Sequence, residues 1–220
     1  PKTPKPHNND KYITKCIYNI KINIKPMENY EKVILTDADG VLFNWKYAFD
    51  IYAEKRGYVS KNKNVYDIAE CYDIPKKEAK RLVRDFNESA AIGYLPPLRD
   101  AIHYVKKIHE ELGYVFHCIT SLSDDENAQR LRTMNLKKLF GETVFEKFTY
   151  LDTGADKDEV LAKYEGKDYL WIEDKVENAL EGAKVGLEGC VMKHGFNIHD
   201  IEPNGLTGFA NWKEIYEYLK

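Results

Sequence analysis

Short apolar segments recur along the chain, and most of them end in polar or turn-forming residues. The clearest begins at Val33 in KVILTDADG, and similar segments lie at 115–120 (VFHCIT), 169–174 (YLWIED) and 190–194 (CVMKH). A shorter candidate lies at 145–153. Short runs rich in β-branched and other apolar residues, bounded by turn signals, are typical of buried strands.

Helical patterns separate these apolar segments. The strongest is PLRDAIHYVKKIHEELG, with Pro97 near its start and Gly113 at its end, as helix termini prefer. Its apolar face, at helical spacing, consists of Leu98, Ile102, Val105, Ile108 and Leu112. Strands that alternate with helices predict βαβ units, and therefore the α/β class: a Rossmann-like parallel sheet with helices on both faces.

Residues 45–95 interrupt this alternation, because WKYAFDIYAEKRG and PKKEAKRLVRDFNESA both have helical patterns. We predict a small helical cap here, inserted after the first core strand, with a core domain at 27–44 and 96–220. The two junctions, near Asn44 and near 93–97, would then lie together above the edge of the sheet and allow hinge motion.

The first 26 residues are rich in Lys, Asn and Pro. We predict that residues 1–26 are an N-terminal extension, either non-native or disordered, and that natural translation begins at Met27. The alternative is that YITKCIYNIKINI forms an edge strand with alternating Ile.

Composition excludes several classes of partner. Lys and Arg number 33 against 36 Asp and Glu, so a net charge of −3 gives no general attraction to nucleic acids or anionic membranes. No run approaches the roughly 20 apolar residues of a membrane-spanning helix. The scattered cysteines contain no Cys-x-x-Cys pair, which argues against a disulfide framework or a zinc site; they are Cys16, Cys71, Cys118 and Cys190. We therefore expect a cytoplasmic protein without a membrane or stable nucleic-acid partner.

The sharpest chemical signal is the motif DADGV at 37–41, directly after the first apolar segment. Parallel sheets bind ligands beyond the carboxyl ends of their strands, and Thr120 and Asp174 would reach the same edge. One carboxylate, Asp37, can attack phosphorus, while the second, Asp39, can protonate the leaving oxygen and then activate water. A calcium loop is the alternative, but the distal Glu that such loops need is missing.

These residues resemble the signatures of the haloacid dehalogenase (HAD) superfamily of phosphohydrolases, and the resemblance extends from Val33 to the C-terminus. Its first signature, DxDG[VT], matches Asp37 as the nucleophile and Asp39 as the general acid and base. The retained second Asp favours phosphate chemistry over dehalogenation. Thr120, which closes the segment VFHCIT, matches the second signature, and Ser121 beside it would help to bind the substrate phosphate.

The third signature is a Lys that begins a helix. Lys157 in GADKDEVLAKY is the best match, and the resemblance implies that it neutralises negative charge on the phosphoryl group in the transition state. Lys163 and Lys167 are nearby and remain alternatives.

The fourth signature is an acidic pair after an apolar segment, which Glu173 and Asp174 supply. The resemblance implies a magnesium ion held by Asp37, Asp174 and the backbone carbonyl of Asp39, because Mg2+ prefers oxygen ligands and retains several waters. Asn178 stands where many relatives have a further Asp.

Within the superfamily, DADGVLFNW, CITS and WIEDKVEN resemble the deoxyribonucleotidase group, which cleaves nucleoside monophosphates. Trp45 falls where that group carries an aromatic residue that stacks on the base; alternatively Trp45, Tyr47 and Phe49 pack the helices of the cap. We therefore predict a magnesium-dependent phosphatase of nucleoside monophosphates. The alternatives are a phosphatase of sugar phosphates or other small metabolites, a phosphomutase, or a catalytically silent binding module.

Overall fold

The structure, a computed structural model, describes residues 31–220, and this part of the chain is built on one six-stranded parallel sheet. The strands are β1 (Val33–Thr36), β2 (Val115–Ser121), β3 (Phe145–Leu151), β4 (Leu170–Glu173), β5 (Glu188–Met192) and β6 (Thr207–Phe209). Their order is β3-β2-β1-β4-β5-β6, with every neighbouring pair parallel. The predictions for residues 1–26, including the edge strand, lie outside the described residues.

Helices connect the strands. They are α1 (Trp45–Glu54), α2 (Ile68–Tyr72), α3 (Lys76–Asn87), α4 (Ala101–Leu112), α5 (Glu126–Phe140), α6 (Asp158–Leu161), α7 (Val176–Lys184) and α8 (Trp212–Tyr218). Short 3-10 turns lie at Ala90–Tyr94, Ala162–Tyr164 and Glu202–Asn204. Over the span that the structure describes, no helix is both long enough and apolar enough to cross a membrane.

Both faces of the sheet are covered, as the sequence predicts. Side chains alternate across a strand, so Ile34 packs into the larger hydrophobic cluster while Val33 and Leu35 pack into a second cluster. The larger cluster includes Val105 of α4, and the second includes Leu161 of α6. The α/β class with a Rossmann-like parallel sheet is therefore confirmed.

The helix predicted from the segment at 97–113 is present as α4. It begins at Ala101, later than Pro97, and ends at Leu112. Gly113 follows as the cap, and its φ of 76° is a left-handed conformation that glycine adopts easily. Val105 and Ile108 are buried, as expected for the apolar face.

The segment between β1 and α4 is helical and contains α1, α2 and α3. Its entry and exit lie side by side, because the amide of Asn44 donates to the carbonyl of Pro96 at 2.9 Å and the amide of Leu98 donates to the carbonyl of Leu42 at 2.8 Å. Asn44, at the entry, lies eight residues after the carboxyl end of β1. That this segment is a cap domain able to move stays a prediction.

Candidate active site

The strand order places three carboxylates together. Strands β1 and β4 are neighbours, and the amide of Asp37 extends their pairing by donating to the carbonyl of Ile172 at 2.9 Å. Asp37 therefore lies beside Glu173 and Asp174, which end β4 and follow it. Each of the three side chains is buried, and each can offer a carboxylate oxygen within 4.8 Å of the others. The sheet edge predicted from the motifs is thus an acidic cluster.

Lys157 is the lysine that joins this cluster. Its ammonium lies 3.1 Å from Asp37 Oδ1 and 2.5 Å from Glu173 Oε1, and its side chain is only 2% exposed. Burial by itself would lower the pKa of Lys157, but the carboxylates of Asp37 and Glu173 outweigh burial and raise it, so the amine stays charged. Lys163 and Lys167 are exposed.

Glu173 is committed to holding Lys157 in place. Its Oε1 accepts hydrogen bonds from Lys157 Nζ at 2.5 Å and from Asn178 Nδ2 at 2.8 Å. Its Oε2 accepts from the amides of Asp174 at 2.8 Å and Lys175 at 2.9 Å. Burial opposes ionisation, but the ammonium of Lys157 and these hydrogen bonds prevail and lower the pKa of Glu173. Asn178 therefore holds Glu173, the partner of Lys157, in place.

With all three carboxylates ionised, the cluster would carry more negative charge than the ammonium of Lys157 neutralises. Burial raises the pKa of Asp37 to about 7, an effect that Lys157 opposes. Burial also raises the pKa of Asp174 well above its ordinary value, and the neighbouring carboxylates of Glu173 and Asp37 add to the rise. Buried carboxylate oxygens with surplus negative charge are a donor set that suits a hard divalent cation. The residues present therefore fit the predicted magnesium, with Asp37 and Asp174 as side-chain ligands.

Gly40 allows the loop after β1 to approach Asp174 closely. Its φ is +73°, and a Cβ built at this position would lie 2.1 Å from Asp174 Oδ2. The Gly40 carbonyl also accepts a hydrogen bond from His194 Nε2 at 2.7 Å, so the donor is the Nε2–H tautomer. Burial lowers the pKa of His194, which keeps the ring neutral at pH 7.

The variant Gly40→Ala should lower turnover at this site on the order of 100-fold, because a displacement of Asp174 by about 1 Å is enough for such a loss. It should also destabilise the fold by about 1–3 kcal/mol, because a Cβ strains the left-handed backbone. Gly57→Ala is the matched control: its φ is +85°, but nothing lies within 4 Å of the added Cβ. Gly57→Ala should lose stability through backbone strain alone, and its turnover should equal that of the wild type. Equal losses of turnover in the two variants would contradict the proposed contact with Asp174.

Asp39 has a partner that the sequence analysis missed. Arg132 of α5 donates to Asp39 Oδ1 through Nη1 at 2.7 Å and to Oδ2 through Nη2 at 3.1 Å. The Arg132 side chain is 0% exposed, and its guanidinium also lies 5.3 Å from the ring centroid of Phe43. Burial raises the pKa of Asp39, and the guanidinium opposes this rise.

Thr120 and Ser121 have different surroundings at the end of β2. Thr120 is fully buried, and its hydroxyl has no hydrogen-bond partner. A buried hydroxyl without a partner is unfavourable, so its proton is available to donate to an oxygen of a ligand. The Ser121 hydroxyl already donates to the carbonyl of Ala155 at 2.9 Å, and thereby ties the loop before Lys157 to β2.

Trp45 is partly buried among aromatic residues of the helical segment. Its ring stacks on Phe49 at 4.7 Å between centroids and meets the Phe86 ring edge to face at 5.4 Å. Its indole Nε1–H donates to Asn87 Oδ1 at 3.0 Å. One face and the polar atom of Trp45 are therefore engaged within this segment, whereas Tyr47 is 56% exposed and does not pack there.

A second aromatic group packs on His194, whose ring is hydrogen-bonded to the carbonyl of Gly40. Tyr66, in the loop between α1 and α2, contacts the ring of Phe196 at 5.2 Å, and Phe196 stacks on His194 at 5.2 Å. Tyr66 is 53% exposed as a residue. Desolvation, and after it the charge of Asp174, raises the pKa of Tyr66 well above its ordinary value. No sequence motif indicates this placement.

Comparison with known proteins supports the fold. No family model matches the chain. It is 26% identical over 141 residues to an uncharacterized 32.4 kDa protein of Enterobacteria phage T4, a match that covers 61% of this chain and 50% of the phage protein. The chain therefore spans about half the length of the curated relative it matches.

Solved structures of haloacid dehalogenase-type hydrolases are similar over most of the chain. A haloacid dehalogenase-like hydrolase of Streptococcus pneumoniae has a TM-score of 0.63 at 15% identity, covering 86% of this chain and 98% of its own. CbbY of Rhodobacter sphaeroides, in complex with phosphate, has a TM-score of 0.54 at 16% identity, covering 84% and 96%. A HAD-superfamily hydrolase of Ehrlichia chaffeensis has a TM-score of 0.53 at 16% identity, covering 86% and 96%.

These likenesses and the sheet topology define a HAD-like α/β fold with a buried acidic cluster at the carboxyl ends of its strands. At 15–16% identity these structures support the fold and nothing further. The activity and the resemblance to deoxyribonucleotidases remain proposals for this chain.

Proposed function

We propose that this protein is a magnesium-dependent phosphomonoester hydrolase that works through a phosphorylated aspartate, Asp37. The observation that carries the proposal is the grouping at one sheet edge of a buried carboxylate, Asp37, its ammonium partner Lys157 and the unpaired hydroxyl of Thr120. This arrangement provides a nucleophile, a counter-charge and a hydrogen-bond donor for one phosphoryl group.

In the first step a carboxylate oxygen of Asp37 forms a bond to phosphorus while the bond from phosphorus to the leaving oxygen breaks. Asp39, in its protonated form, gives its proton to that oxygen, so an alcohol departs and Asp39 becomes a carboxylate. Lys157 offsets charge on Asp37 and on the phosphoryl oxygens, and the Thr120 hydroxyl donates to one of those oxygens.

In the second step a water oxygen attacks the same phosphorus, and the bond between phosphorus and Asp37 breaks. The Asp39 carboxylate takes a proton from this water, which restores its acid form. Inorganic phosphate is released, and Asp37 returns to a carboxylate.

The magnesium ion, held by Asp37, Asp174 and the carbonyl of Asp39, would act as a Lewis acid on the phosphoryl oxygens. Asp39 can serve as a ligand through its backbone while its side chain acts on protons. Glu173, which the acidic-pair signature includes, keeps Lys157 in position instead.

For the substrate we propose nucleoside monophosphates. The support is two aromatic side chains of the helical segment: Trp45 is partly exposed, and Tyr66 is exposed and contacts Phe196, which stacks on His194. Stacking on a base contributes on the order of 1–3 kcal/mol. One observation favours sugar phosphates instead, because Phe49 and Asn87 already occupy one face and the N–H of Trp45. A small phosphorylated partner and a cytoplasmic location stay predictions.

Phosphate release should be measured with Mg2+ and with EDTA on nucleoside monophosphates, deoxynucleotides, sugar phosphates and an aryl phosphate. We expect release only with Mg2+, and higher kcat/KM for nucleotides than for sugar phosphates. Trp45→Leu should lower kcat/KM for nucleotides by about 5- to 160-fold, as the loss of one stacking partner predicts, and leave kcat/KM for sugar phosphates unchanged.

Each outcome of this panel decides one part of the proposal. Preference for sugar phosphates would keep the mechanism and discard the nucleotide. Release in EDTA would contradict the metal requirement. No release from any ester would favour a binding module that keeps the fold.

A further inference from the structure

The environment of Arg132 is unusual for an arginine. The residue lies within α5, 93 positions beyond Asp39, and its side chain is 0% exposed. Arginine is almost never fully buried unless it is paired, because its charge loses water on burial. Its ion pair in the described part of the chain is with Asp39, and its Nε is buried without a hydrogen-bond partner.

Anchoring α5 does not by itself require a charge at this position. The helix already contributes apolar side chains to the core, with Ala128, Leu136 and Phe140 buried. Asn135, three residues after Arg132, also ties α5 to the chain before α4 by donating to the carbonyl of Leu95 at 3.1 Å. The burial of this guanidinium is therefore better explained by its ion pair with Asp39 than by the packing of α5.

The fork of the guanidinium fits both oxygens of Asp39. Two roughly parallel N–H to oxygen bonds fix the plane of a carboxylate as well as its position, which a single ammonium cannot do. The Phe43 ring, 5.3 Å from the guanidinium carbon, lines the same space and comes from the loop that carries Asp39. The orientation of Asp39 is thereby determined from α5.

We propose that Arg132 is a positioning residue for Asp39, holding this carboxyl group where it can protonate the leaving oxygen of a phosphate ester. The inference rests on the proposed function and deepens it. After Asp39 has given its proton to the leaving oxygen, Arg132 pairs with the carboxylate that remains. The same carboxylate then takes the proton of the attacking water.

This role has a signature that a structural role lacks. Esters with poor leaving groups, such as phenyl phosphate, need the proton of Asp39 in the first step, whereas 2,4-dinitrophenyl phosphate departs without it. Loss of Arg132 should therefore slow the first step strongly for phenyl phosphate and weakly for the dinitrophenyl ester.

The experiment measures the pre-steady-state release of phenol or dinitrophenol, which reports the first step, in Arg132→Met, Arg132→Lys and the reference variant Asp39→Asn. For Arg132→Met we expect a loss of about 100-fold or more on phenyl phosphate and below about 10-fold on the dinitrophenyl ester. Arg132→Lys should show the same pattern with a smaller loss, because it keeps the charge but not the fork. Asp39→Asn should show the pattern most strongly.

Asn135→Ala is the matched control, since it removes a buried hydrogen bond from the same helix without touching Asp39. It should lower the melting temperature and leave the ratio of the two rates unchanged. Equal losses on both esters in the Arg132 variants would overturn the inference and leave the proposed function standing. Folding of each variant is checked by circular dichroism. If Arg132→Met does not fold, the ratio of the two rates in Arg132→Lys tests the inference by itself. An inactive wild-type protein would mark failure of the proposed function itself.

Discussion

Asp37→Asn is expected to reduce phosphate release on the order of 10⁴-fold or more, because no other group in the proposed mechanism can form the bond to phosphorus. An amide is a very weak nucleophile, and no aspartyl-phosphate should form. The measurement is phosphate release with Mg2+, combined with acid quenching to look for phosphate covalently attached to the protein.

The fold should survive this substitution. Burial raises the pKa of Asp37 to about 7, so desolvation disfavours the charged form and a neutral amide should be tolerated. Removing the charge also relieves repulsion with Glu173 and Asp39, although the contact with Lys157 is lost. Asp85→Asn, an exposed carboxylate of α3, is the control and should keep full activity. Full activity in Asp37→Asn would show that the proposed mechanism is wrong.

The residues at the carboxyl edge of the sheet could be predicted from the sequence because the parallel topology brings strand ends together. Asp37, Thr120 and Asp174 each end or directly follow an apolar strand, and the carboxyl ends of parallel strands meet at one edge. The order of the strands then makes β1 and β4 neighbours, which brings Asp37 to Asp174. The parallel arrangement follows from the alternation of strands and helices, whereas the strand order that makes β1 and β4 neighbours comes from the structure.

Arg132 could not be predicted in the same way. It lies in a stretch rich in polar residues, ENAQRLRTMNLKK, where an arginine is ordinarily on the solvated face. Its burial is decided by how α5 packs on the sheet, and its partner Asp39 is 93 residues away. A signal of this kind exists in the packed structure and not in local spacing.

The resemblance implied Asp174 as the metal ligand of the acidic pair, but the role of Glu173 was out of reach of the sequence. Glu173 and Asp174 look equivalent as neighbouring carboxylates, but Glu173 is the last residue of β4 and Asp174 lies outside it. Only the structure shows that Lys157 and Asn178 both donate hydrogen bonds to the carboxylate of Glu173. Strand β6 was not predicted from the sequence for a simpler reason: three residues with a central glycine give almost no strand pattern.

Lys157→Met should lower the free energy of unfolding by about 3–5 kcal/mol in EDTA at pH 7, and it should also abolish phosphate release. Methionine has a similar length but no charge, so Asp37 and Glu173 would be left buried without their ammonium. The lowered pKa of Glu173 contributes stability above its ordinary value of 4.5, and this contribution is lost as the pH falls through the lowered pKa. The difference between the wild type and the variant should therefore be smaller at pH 4 than at pH 7, measured by urea unfolding.

Two further variants separate the buried ion pair from a general effect of losing a lysine. Lys163→Met removes an exposed lysine six residues away and should change the free energy of unfolding by less than about 0.5 kcal/mol. Glu173→Gln combined with Lys157→Met removes both charges of the pair, so it should be more stable than Lys157→Met alone. If Lys157→Met destabilised the protein no more than Lys163→Met does, the charges of Asp37 and Glu173 would have to be neutralised by protons instead, and Lys157 would lose its assigned place as their counter-charge.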